Sequence, residues 1–267
     1  MFRNMTMLVL LVWSLGAFAE RAETVEPLSD SERISIEVAE SLGTQAFRHD
    51  RAAWHATDAL RKLRTFRRDR RVQGWITQAG DQGITVTFVG GGEGQPLALY
   101  RATLPENGAL QGEPVVLKTP QPLDEYERSA ARARALALDL PFEACGKNYN
   151  TIVLPNDAGG SKWIVYLFPG TTRNDVVPLG GSFRVDVDLS DETSTLRAYT
   201  RSCIELQNDP RAVALMITHL MDPVPTEVHV FWNLWANKAL YVATSQNGAL
   251  WALERGRIRL LQRREDG

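Results

Sequence analysis

The sequence predicts an α+β fold, with an N-terminal helix or helix pair and a second helix packed on largely antiparallel sheets, ending in a four-strand meander. Three observations predict it. Apolar residues recur at helical spacing near the start of the chain and again over residues 123–140. Elsewhere they alternate over short runs, without error in F-R-V-D-V-D-L at 183–189. The connections between those runs are short, polar and glycine-rich, which suits antiparallel neighbours.

The chain opens M-F-R-N, is almost continuously apolar over 7–18 and closes that run with A-F-A at 17–19, the layout of a secretory signal peptide. Cleavage is expected after Ala19. The apolar run is shorter than the roughly 20 residues a spanning helix needs, and no later run approaches that length. The residue directly after the cleavage point is Glu20, not a cysteine that could accept a lipid. Residues 1–19 thus read as signal peptide and 20–28 as polar leader. Residues 29–267 read as one soluble α+β domain, periplasmic or secreted, divisible into 29–120 and 121–267 with no transmembrane anchor after cleavage.

Ser29, Asp30 and Ser31 offer caps to a helix with Ile34, Val38, Leu42 and Ala46 at steps of four. Gly43 weakens it. His49 and Asp50 stand where it could break, with Asp50 capping a second segment over 51–64, so the region is one kinked helix or two in succession. The period then changes to two, giving strands at 72–78, 84–89 and 97–104, separated by A-G-D-Q-G and by the glycine cluster 90–94. A looser stretch with Pro105, Pro114, Pro120 and Pro122 leads into the helix at 123–140. Acidic residues in its first turn and arginines later suit the helix dipole, and Pro141 ends it.

Strands follow at 151–154, 163–168, 183–189 and 195–200. In 183–189, Phe183, Val185, Val187 and Leu189 are expected to face the core, with Arg184, Asp186 and Asp188 facing water. Asp209-Pro210 could start a helix over 212–219, but Val213, Leu215 and Ile217 alternate and favour a strand. The closing meander comprises 227–235, 239–244, 249–253 and 257–261, with Asn247-Gly248 the clearest hairpin signal.

Formal charge is −2 and composition is ordinary for a globular protein, so no global field recruits nucleic acid or membrane. In an oxidising compartment Cys145 and Cys203 are expected to pair, closing a loop that the chain-entropy picture makes worth about 4 kcal/mol. A reactive or metal-binding thiol is the alternative, but neither cysteine sits in a C-x-x-C pair or beside a histidine.

Chemistry concentrates in T-H-L-M-D-P-V-P-T-E-V-H-V-F, which holds His219, Asp222, Glu227 and His229. On a strand at 227–235, Glu227 and His229 would share a face, about 7 Å apart. The turn at Pro223 and Pro225 could fold His219 and Asp222 back onto it. The four would then form a metal site, or a general base with His229 and Glu227 as catalytic pair. The spacing matches no zinc signature, and a satisfied polar pair beside a turn is the plainer reading.

Arg61, Lys62, Arg64, Arg67, Arg68, Arg70 and Arg71 form a basic run suited to an anionic polymer or an acidic envelope protein, or simply to a helix C-terminus. The export signal and the lack of interleaved aromatic platforms disfavour nucleic acid. The glycine clusters lack G-K-[ST] and read as hairpin loops. No nucleophile elbow occurs. His49 and His55 lie off the i, i+4 spacing and read as surface or boundary residues. The tryptophans could line a ligand groove or fill a sheet core.

No cofactor is expected. The function predicted is that of an exported cell-envelope protein that binds a partner or ligand without catalysis. The alternatives are a hydrolase using the His219, Asp222, Glu227 and His229 set, and a structural module of an envelope assembly that associates through sheet edges.

Overall fold

The computed structural model describes residues 27–91, 95–105, 113–171 and 173–263. The signal-peptide segment and most of the glycine cluster 90–94 lie outside the described residues.

A single helix, α1 (Asp30–Arg61), opens the fold, followed by the short α2 (Arg64–Arg68). Ser29 caps α1: its Oγ accepts the Glu32 N–H, and the Glu32 carboxylate accepts the Ser29 N–H. The helix runs through His49 and Asp50 without a break, so Asp50 caps no second segment; both residues are buried in its interior. Its inward stripe also differs from expectation. Ile34 and Val38 are exposed, at 62 % and 48 %. The buried face is built from small residues, among them Ala39, Gly43, Ala46, Ala53 and Ala56. Small side chains let another helix approach, and a Cβ on Gly43 would lie 2.5 Å from the Glu227 carbonyl oxygen.

The first sheet runs β1 (Val72–Gly80), β2 (Gly83–Gly90), β3 (Leu97–Leu104) and β4 (Val115–Pro122), antiparallel in that order. The last part of the proline-rich stretch read as loose, Val115–Pro122, is this edge strand. It tolerates proline because one side of its backbone needs no partner. Leu60, Val86, Phe88 and Leu104 fill the core between α1 and this sheet.

Helix α3 (Glu125–Asp139) has the Asp124/Glu127 capping box and leads to β5 (Tyr149–Pro155) and β6 (Lys162–Pro169). After β7 (Val176–Val177) come β8 (Phe183–Asp188), β9 (Thr193–Ala198) and β10 (Leu206–Gln207). The second sheet has the order β5-β6-β8-β9, all antiparallel, while β7 and β10 form a separate two-stranded ribbon. Cys145 and Cys203 are bonded, joining the loop after α3 to the loop after β9.

The chain closes with β11 (Ala214–His219), α4 (Glu227–Ala236), β12 (Ala239–Thr244), β13 (Ala249–Glu254) and β14 (Arg257–Arg263). A four-strand sheet ends the chain, but its first member is β11, parallel to β12, rather than residues 227–235. Those residues form a helix instead. Glu227 to Asn233 are buried without a break, so the helix has no polar stripe and its sequence shows no helical period. Its valines and aromatics imitate a strand.

The second sheet is covered on both faces. Trp163, Val165 and Leu167 point to the core shared with α3, whereas Ile164, Tyr166 and Phe168 point to the core shared with α4, where the Phe168 and Phe231 rings stack at 4.1 Å. Each face carries a different kind of polar feature.

Candidate functional site

On the α4 face the structure brings His219, Asp222 and His229 together, and Glu227 is linked to them through Tyr199 and Arg197. His219 ends β11, Asp222 lies in the connection to α4, and Glu227 and His229 occupy the first turn of α4. Their grouping comes from the β11–α4 crossover, not from a strand face. His219 Nε2 lies 2.9 Å from Asp222 Oδ2, and Arg197 Nη2 donates to Asp222 Oδ1 at 2.6 Å. The Arg197 guanidinium sits over the Tyr199 ring, 4.8 Å from its centroid. Tyr199 donates to Glu227 Oε1 at 2.5 Å, and the same oxygen accepts from Arg184 Nη1 at 3.0 Å and Tyr166 at 3.3 Å. Arg184 also clamps Asp186 through Nε and Nη2.

Arg184, Arg197, Tyr166 and Tyr199 were missed by sequence reasoning. Arg184 and Asp186 were expected to face water. They do lie opposite the Val185 face, but α4 partly covers that side, and the Arg184 side chain is only 18 % exposed. The signal available was the alternation itself, which places an arginine on the same face as the aromatic Tyr166 across the β6–β8 pair.

The electrostatics favour a fixed network. Burial, then the Glu227 carboxylate, hold the Tyr166 and Tyr199 phenols protonated far above their usual range. Burial opposes ionisation of Asp222, yet hydrogen bonding by His219 and the charge of Arg197 keep its carboxyl below the ordinary value. Complete burial, with the neighbouring His219, pushes the His229 imidazole down to about 3. Its Nδ1 accepts the Thr226 N–H at 3.1 Å, so the neutral ring carries its proton on Nε2. That atom is buried without a hydrogen-bond partner. His219 packs edge-on against it, with ring centroids 4.6 Å apart. Among the described residues no group of three or more His, Cys, Asp and Glu side chains has the arrangement of a metal site. Glu227 Oε1 accepts from Arg184 and two tyrosines, and the Asp222 oxygens lie against Arg197 and His219.

On the α3 face lies an open cleft of about 720 Å³. Leu97, Leu123 and Leu189 give it apolar walls, from the start of β3, the approach to α3 and the end of β8. One face of α3 supplies Arg128, Arg132 and Ala135, at positions i, i+4 and i+7. Arg128 Nη1 donates to the Leu123 carbonyl at 2.7 Å. Arg132 pairs with Glu192 of the β8–β9 turn at 2.5 Å, with side chains 54 % and 73 % exposed. None of these residues forms a motif, and no spacing in the sequence announced them.

The basic run is exposed along its length, at the end of α1, through α2 and on to Arg71. Phe66 roots it by edge contacts with Phe88 and Tyr100. Arg71 folds back on Asp69, whose carboxyl is held well below its usual range by that hydrogen bond. His49 is not a surface residue: it is buried, bonded to Thr77 Oγ1 at 2.7 Å, and pushed down to about 4 by burial and Arg48. Trp163, Trp232 and Trp251 fill cores rather than line a groove.

Comparison of the chain with protein-family models, with curated proteins and with solved structures finds no match.

Proposed function

We propose that the protein is exported and acts without catalysis, by holding a ligand in the cleft beside α3. The observation that carries this reading is the cleft: about 720 Å³, within the size range of small-molecule sites, with apolar walls and two arginines on one helix face. The Cys145–Cys203 bond supports an oxidising compartment, in line with the signal-peptide pattern of residues 1–19. In this reading the cluster around Glu227 is scaffold, because its charged atoms are turned on each other.

Ala135 is exposed on the cleft side of α3, so Ala135→Trp fills the space without entering a core. Native mass spectrometry against dodecyl compounds with different head groups is expected to show one bound molecule per wild-type chain and none on the variant. No binding of any member, or equal binding by both proteins, contradicts the cleft as the site. Fractionation should find the mature chain outside the cytosol, beginning at Glu20; an unprocessed cytosolic chain contradicts export.

A further inference from the structure

The chemistry of the cleft narrows its occupant. Its apolar walls come from three separate segments, so a chain-like apolar body has surface to cover on several sides. Its cations lie one helical turn apart on α3, close enough to share one anionic group. Arg128 spends one N–H on the Leu123 carbonyl and pairs with no carboxylate among the described residues. Arg132 holds a carboxylate, that of Glu192, which reaches across from the β8–β9 turn. Both members of that pair are more than half exposed, and exposed pairs contribute little and exchange readily. Two other acids near the rim have partners of their own. Asp157 accepts from the Ser161 N–H and hydroxyl, and Asp188 from the Ser190 and Asp191 N–H groups.

We infer, resting on the cleft reading above, that the ligand is an anionic single-chain amphiphile, a lipid monomer whose head group displaces Glu192 from Arg132 while its chain lies against Leu97, Leu123 and Leu189. Glu192 is then a placeholder: its carboxylate occupies the head-group position until a ligand anion replaces it. A free anion gains only two solvent-screened arginines. A neutral amphiphile gains the walls alone. Only a ligand with both parts uses the whole cleft.

The test is isothermal titration with dodecyl phosphate below its micellar concentration, against dodecyl maltoside and inorganic phosphate. Wild type is expected to take about one dodecyl phosphate per chain. Arg128→Ala and Arg132→Ala should weaken it by about tenfold each, the scale of a charge-assisted contact in a partly open site. Glu192→Ala should bind it more tightly than wild type, an outcome that a merely structural Arg132–Glu192 pair does not produce. All three side chains are solvent-facing, and unchanged melting curves will show that the variants fold. Equal affinity for dodecyl maltoside, or for inorganic phosphate, overturns the anionic amphiphile while leaving a cleft that binds. Loss of affinity in Glu192→Ala overturns the placeholder. Failure of every dodecyl compound to bind removes the cleft reading itself.

Discussion

The two faces of the second sheet put similar residue types to opposite use. On the α4 face, Glu227, Asp222, Arg184 and Arg197 are turned on one another with His219 and two tyrosines, with Glu227 buried and Arg197 and Asp222 nearer solvent. On the α3 face, Arg128 and Arg132 stand at an open rim, and the one carboxylate among their partners is itself exposed. In the reading proposed above, the residues that look catalytic in the sequence are not the ones that meet a ligand. Buried charge demands partners, and satisfying them removes those groups from service, whereas an exposed arginine beside an apolar wall stays available.

The largest break in this comparison should come from Glu227→Ala, which removes the shared acceptor of two buried phenols and leaves Arg184 with Asp186 alone. Removing one member of a buried pair costs about 3–5 kcal/mol, so urea unfolding should shift by that scale. A change under about 1 kcal/mol would mean that the network is not scaffold. Replacing Cys145 and Cys203 together by alanine should lower stability by about 2–4 kcal/mol, since the bond ties the end of α3 to the far side of the second sheet. A melting curve unaffected by reductant would refute that tie.

Acid should act first on the buried histidines. His229 and His49 are neutral when folded, at about 3 and about 4, and titrate near 6.5 when unfolded. The unfolded chain therefore binds more protons between those values, and stability falls as pH falls through that window, by roughly 1.4 kcal/mol per pH unit for each imidazole. Asp50, raised by burial to about 6, opposes this between about 4 and 6, because there the folded state is the one that binds the proton. The net slope in that interval is that of about one imidazole, and His229→Gln should flatten it; an unchanged slope contradicts the assignment. Gly43→Ala is the smallest of these effects, about 1–3 kcal/mol from overpacking, because its Cβ would meet Val230 and the Glu227 carbonyl where α1 crosses α4. Wild-type stability in that variant would show that the crossing has slack.

Much of this was legible before the structure. The alternation at 183–189 placed β8, the Ser29 and Asp124 caps placed two helices, and the paired cysteines followed from compartment and count. What failed has a physical cause. Helix α4 is buried all round, so periodicity had nothing to report, although Thr226 at its start and Asn237 in a left-handed cap at its end were signals of a helix. In α1 the large apolar residues Ile34 and Val38 drew attention from the alanine and glycine stripe that packs. For β4, prolines hid an edge strand. The cleft is a property of three segments meeting, and arginines at i and i+4 on a helix are too common to mark it.

One paired measurement tests the central claim most directly: melting temperature and dodecyl phosphate binding, recorded together for Ala135→Trp and Glu227→Gln. The account predicts a double dissociation. Ala135→Trp melts with wild type and does not bind, while Glu227→Gln melts lower and, at a temperature where it is folded, binds as wild type does. Loss of binding in folded Glu227→Gln, with binding intact in Ala135→Trp, would place the working site in the closed network and contradict the account.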